Sequence, residues 1–231
     1  MSQDNISQLR VWIAERKLDA FMVTQPQNRS YLSGWFNDDE EGAGLLLVGQ
    51  QQKIVVTNSL YKEVAGREAV GWQVVEPSPQ AREYAPTIVE LAREHGWKKI
   101  GFESMALLYG VYEQIRSTGE GVFTLQPFEP SFVSQMRQVK QPHEIELLRR
   151  AIAITDEAFA HICQWIQPGM TEKEVDKIIG NLLVDRGQFG PFNCCWIGYS
   201  RYDLVISYAG DSADEPWRVV GVHYLPLLGD K

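Results

Sequence analysis

Ile6, Leu9, Trp12 and Ile13 recur at helical spacing and lead into LDAFMVT, a short apolar run suited to a buried strand. The polar, turn-rich PQNRSYLSGW that follows reads as a loop. GAGLLLVG and KIVVTN, separated by the polar QQQ, then read as a strand hairpin. Further along, SLYKEVAGREA, REYAPTIVELAREHGW and ALLYGVYEQIRS carry amphipathic helical spacing and alternate with the strand-like GWQVVE, KKIGFE and FTLQPF. Helices alternating with strands predict an α/β domain covered on both faces, and the hairpin predicts a mixed sheet rather than a purely parallel one. Residues 1–130 hold every strand of this pattern.

Past Phe128 the pattern changes. EPSFVSQMRQVKQP is polar and reads as a connection, giving a linker over residues 131–141 and a second domain over 142–231. Ile145, Leu148, Ile152, Thr155, Phe159, Ile162 and Ile166 recur in steps of three and four, with Pro142 suited to a first helical turn. After QPGM, Thr171 and Glu174 form a T-x-x-E capping box, opening a second helix with Val175, Ile178, Ile179, Leu182 and Leu183 on one face. Two amphipathic helices cannot bury their apolar faces on each other alone, so they require a sheet or a partner.

Composition narrows the function classes. The chain has 231 residues, a net charge of -8 and no Lys/Arg run, which excludes a phosphate-tracking nucleic-acid surface. The longest apolar run, LLLV at Leu45 to Val48, is too short for a bilayer, and the charged N-terminus has no apolar signal core. Cys163, Cys194 and Cys195 form no even disulfide framework, so a reducing cytoplasm is the expected compartment. Cys194 and Cys195 could form half of a metal site, but the ligand count favours buried thiols. No G-x-G-x-x-G follows the first strand, where VTQPQN stands, which argues against a dinucleotide fold.

Three segments carry a resemblance. NRSYLSGW at Asn28 to Trp35 resembles a loop in the amino-terminal domain of the creatinase, prolidase and aminopeptidase P family. MRQVKQPHEIELLRRAIAITDEAF resembles the entry to that family's pita-bread catalytic domain, through Arg137, Lys140, Glu144, Ile145, Arg149 and Ala151. IQPGMTEKEV resembles the turn between its first two helices, through Pro168, Gly169, Thr171, Glu172 and Glu174. The resemblance runs from about residue 5 to Gly187. It implies a creatinase-type α/β domain followed by the first helices of an incomplete α+β pita-bread domain.

The family's function, by implication, is hydrolysis of Xaa-Pro peptides by two divalent ions, manganese, cobalt or zinc, held by two aspartates, a histidine and two glutamates. Beyond Gly187 the tail departs from the family pattern, so no metal ligand is recognised and the chain alone is expected to hold no metal and to be inactive. A truncation, a shifted frame and a divergent ending stay open. Asp203, Asp211, Asp214 and Glu215 could replace the missing ligands, but GDSADEP also reads as a polar loop between the strand-like YDLVISYAG and WRVVGV, the favoured reading. His223, in H-x-x-P, is the candidate catalytic residue, since the family's histidine there contacts substrate or an intermediate. Arg29, Tyr31 and Trp35 are the candidate substrate-binding residues, displayed from their loop toward an adjoining domain or subunit. A proline-containing peptide is the implied partner, and apolar helix faces without a sheet predict a homo-oligomer. The alternative is a non-catalytic peptide-binding or dimerisation module.

Overall fold

The computed structural model describes residues 2–36, 44–77 and 84–165, the helical positions Glu174, Lys177, Ile178 and Asn181, and strands at 196–199, 203–208 and 221–226. It divides into two compact units, Met1–Val139 and Lys140–Lys231.

In the first unit the order is α1 (Ser2–Glu15), β1 (Ala20–Val23), α2 (Pro26–Ser33), β2 (Gly44–Gly49), β3 (Lys53–Thr57), α3 (Ser59–Glu68), β4 (Gln73–Val75), α4 (Tyr84–His95), β5 (Lys99–Glu103), α5 (Tyr109–Thr118), β6 (Thr124–Phe128) and α6 (Phe132–Gln138). The strands form one six-stranded sheet in the order β4-β3-β2-β1-β5-β6. Strand β2 runs antiparallel to both neighbours, while β3–β4, β1–β5 and β5–β6 pair in parallel. The sheet is therefore mixed, as the hairpin pattern predicts.

Successive side chains of a strand point to opposite faces, and here both faces are buried, so β1 and β2 are apolar throughout rather than alternating. Phe21 and Val23 join Leu46, Val48 and Val55 under α1, whose Leu9 and Ile13 are fully buried. Ala20 and Met22 join Leu45, Leu47, Ile54 and Val56 on the other face, against Ile88, Val89 and Ala92 of α4. The edges are short or interrupted: β4 has three residues, and Pro127 stands in β6 opposite Phe102.

Two readings of the sequence change. PQNRSYLSGW is mostly helix α2, started by Pro26 in its first turn and stopped by Gly34, whose φ of 75° suits glycine and whose N–H donates to the Ser30 carbonyl at 2.8 Å. Residues 131–141 are not simply a polar connection, because they contain α6, whose Val133 is fully buried in the first unit's core.

In the second unit, α7 (Pro142–Trp165) begins at the expected proline, and Glu144 accepts a hydrogen bond from the Gln141 backbone N–H at 2.7 Å. Ala158 and Ile162 are buried, whereas Ile145, Ile152 and Trp165 are exposed. Strands β7 (Trp196–Tyr199), β8 (Asp203–Tyr208) and β9 (Gly221–Pro226) form an antiparallel sheet in that order. YDLVISYAG is strand-like in sequence and holds β8, but a sheet formed past Gly187 was not expected, because the neighbouring short strands carry glycine and proline. The second helix read from Thr171 to Val184 lies largely outside the described residues, which include only four of its positions.

Candidate functional site

Strands β1, β3, β4, β5 and β6 all run the same way, so their carboxyl ends gather at one end of the first unit. From β1 the chain builds outward through β2, β3 and β4, then resumes on the opposite side of β1 with β5 and β6. The strand order reverses between β1 and β5, and open α/β sheets commonly take ligands just outside the carboxyl ends of strands at such a point.

Here that place holds a side chain of the protein itself. Glu103, the last residue of β5, is only 2% exposed. Its Oε2 accepts the backbone N–H groups of Thr24 and Gln25 at 2.7 and 2.8 Å, and its Oε1 accepts Asn28 Nδ2 and Ser131 Oγ at 2.6 Å each. Four donors satisfy the buried carboxylate, which also lies by the entry to α2, where unpaired N–H groups favour negative charge. Asn28 extends the network: its Oδ1 accepts from Arg137 Nη1 at 3.0 Å, and its Nδ2 also reaches Ser134 Oγ at 2.9 Å. An anion supplied by the protein occupies the position where a nucleotide fold would cradle phosphate, in agreement with the missing glycine motif.

The residues singled out from sequence fall in different surroundings. Arg29 and Trp35 are not displayed: they are 2% and 1% exposed. Arg29 Nη1 donates to the Gly44 carbonyl, and the guanidinium carbon lies 5.3 Å from the Trp35 ring centroid. Arg29 is buried because α2 is a helix packed on the sheet, where a loop would have left it outside, and Trp35, just past the Gly34 turn, joins the core on the same face. Tyr31 is half-buried and packs against the same core. His223 stands in β9 with its Cα paired to that of Ile206, and Asp203 opens β8 opposite Pro226. Asp211, Asp214, Glu215, Cys194 and Cys195 lie outside the described residues. Cys163 is an exposed free thiol on α7.

Among the described residues no three His, Cys, Asp or Glu side chains gather as a metal would require. The described part of the chain therefore does not fit the paired-metal centre that the resemblance implies. Among the described residues no helix is long and apolar enough to cross a membrane. Electrostatic perturbation lies away from the strand ends, on α5. There a hydrogen bond from Arg116 holds the Glu113 carboxyl below its ordinary value, and the same bond raises Arg116.

Glu103 was not apparent from sequence. Its only trace was an acidic residue ending the apolar strand KKIGFE, and its partners Thr24, Asn28 and Ser131 come from two distant segments.

A mixed six-stranded sheet with helices on both faces, followed by a long helix, is the architecture of an amino-terminal domain joined to the start of a pita-bread domain. Residues 5–139 match the Creatinase/Prolidase N-terminal domain, and residues 146–220 match Metallopeptidase family M24. The chain belongs to the creatinase/prolidase family, with part of an M24 domain attached. The M24 match continues past Gly187, so the family pattern extends further than the motifs alone indicated.

Among its relatives, an uncharacterized peptidase, YqhT, of Bacillus subtilis is 26% identical over 167 residues, covering 72% of this chain and 45% of the relative. A putative Xaa-Pro aminopeptidase of Mycoplasma pneumoniae is 23% identical over 187 residues, covering 80% and 48%. The chain thus spans about half the length of the curated relatives it matches. The solved Xaa-Pro dipeptidase of Bacillus anthracis superposes with a TM-score of 0.75 at 22% identity, over 98% of this chain and 65% of that one. An X-Pro aminopeptidase of Thermotoga maritima gives 0.73 at 21% identity, over 95% and 65%.

Proposed function

We propose that the chain supplies the amino-terminal domain and the first part of the catalytic domain of a metal-dependent peptidase that cleaves the bond preceding proline, of prolidase or aminopeptidase P type. The observation carrying this reading is the join itself: a creatinase-type domain ending at residue 139 is followed within seven residues by an M24 match. A pair of manganese, cobalt or zinc ions would supply the activated water and polarise the scissile carbonyl when bound by the family's carboxylate and histidine ligands. Within this reading His223 takes the substrate-contacting role of the family's histidine, and α2 contributes to the binding side through Tyr31. Buried beneath the surface, Arg29 and Trp35 act by holding that helix in place.

The test is an assay of Xaa-Pro dipeptides and longer Xaa-Pro peptides with each ion supplied in turn. The 231-residue chain is expected to give no turnover above background, and a chain extended to the relatives' length is expected to be active. Metal-dependent turnover by the pure 231-residue chain would overturn its inactivity. An inert extended chain would favour the non-catalytic binding module instead.

A further inference from the structure

The Glu103 network does more than fill a crevice. Ser131, Ser134 and Arg137 follow one another at intervals of three through the start and length of α6, which places them along one side of it. All three enter the network: Ser131 Oγ donates to Glu103 Oε1 at 2.6 Å, Ser134 Oγ donates to Gln25 Oε1 at 3.1 Å and accepts from Asn28, and Arg137 donates to Asn28. Beside them Val133 is fully buried, and Phe132 stacks on Trp12 with ring centroids 5.1 Å apart. Helix α6 has seven residues, too few to be stable in water without tertiary support.

Val139 is 73% exposed, and its backbone is extended, with φ -93° and ψ 100°. Gln141 already belongs to the start of α7, because its carbonyl accepts the Ile145 N–H at 3.0 Å.

We propose that Glu103 is an internal latch: its carboxylate, through Asn28 and Ser131, fastens α6 to the first unit, so that breaking this network opens α6 while the rest of the sheet stays closed. Replacing Glu103 by glutamine keeps the shape but turns one acceptor oxygen into a donor NH2 group. Since both oxygens already accept two hydrogen bonds each, either orientation of the amide sets donor against donor. The variant therefore opens the latch without emptying the core.

The test is amide hydrogen exchange on the whole chain. Glu103→Gln should speed exchange in α6 and in residues 25–29 by about tenfold or more, the scale of a lost charge-assisted hydrogen bond, while β3 and α3 keep their protection. Ser131→Ala removes one donor, leaves the carboxylate in place, and should speed α6 by a few-fold, about the worth of a single hydrogen bond. Trypsin should cut the wild-type chain at Lys140 before Arg137 and reach Arg137 early in Glu103→Gln. Unchanged α6 exchange in both variants would overturn the latch. So would acceleration of β3 and α3 by the same factor as α6, since α6 would then open only with the whole domain. Should Glu103→Gln fail to fold, Ser131→Ala decides by the same readout.

Discussion

Arg29→Ala is the sharpest test of how α2 is built. In the structure this guanidinium is buried, donates to the Gly44 carbonyl and lies against the Trp35 ring. Alanine leaves a buried carbonyl without that donor, at a cost of about 1–3 kcal/mol. It also removes a desolvated cation–π contact worth about 0.5–2 kcal/mol. Together these give roughly 3 kcal/mol, with the lost packing of the arginine stem acting in the same direction. For a urea slope near 2 kcal/mol/M, about the middle of the usual range, the unfolding midpoint should fall by roughly 1.5 M. Tryptophan fluorescence is a direct readout, because Trp12, Trp35 and Trp72 all sit in the core on that face of the sheet. Arg29→Met, which keeps most of the stem, should lose less than alanine, and the difference measures the packing share. A loss below about 0.5 kcal/mol, the range of ordinary surface substitutions, would refute this account. The surface-loop role would then return, with its own signature: a raised KM in an active chain of the relatives' length and no change in stability.

Two further outcomes are expected. Arg116→Ala should let the Glu113 carboxyl rise toward its ordinary value, followed by carboxyl NMR titration. A lowered folded-state value contributes stability at pH above the unfolded value and loses it as pH falls through the folded one, so wild type and variant should converge in stability at low pH. No upward movement in the variant would show that the hydrogen bond is not the cause. Sedimentation velocity over a range of concentrations should show self-association, prompted by the exposed Ile145, Ile152 and Trp165 on α7; a concentration-independent monomer would count against it.

Much of the first unit was legible because both faces of its sheet are covered. Runs such as LLLV and KIVV have no place except a buried strand, and α7 repeats its apolar positions for 24 residues from a proline that marks its start. The site was legible only in part. Asn28, Arg29, Ser30 and Ser33 give α2 the composition of a turn; it is helical because Asn28 and Arg29 find distant partners, while the Ser30 and Ser33 hydroxyls donate to the Pro26 and Arg29 carbonyls within the helix. Asn28 is bonded to Glu103, 75 positions away, and to Arg137, 109 positions away. Pairing across such distances leaves no local periodicity to read. The same reason hid α6, whose serines and arginine look like a linker until the crevice they fill is known. In the second unit, the strands near Gly198, Asp203 and Gly221 are broken by residues of low strand propensity, so their pairing could not be read from local pattern.

The two margins of the six-stranded sheet bear on how copies of the chain can meet. A free strand margin is a template for another chain's backbone, and proteins guard against this with brief outer strands or with proline, which lacks an N–H. Both guards are present: β4 offers only three residues, and Pro127 interrupts the donors of β6. Runaway stacking of first units into a continuous ribbon therefore has no ready template at either margin, and association through this unit is steered toward helix surfaces, where contacts are made by side chains and can be abolished one residue at a time.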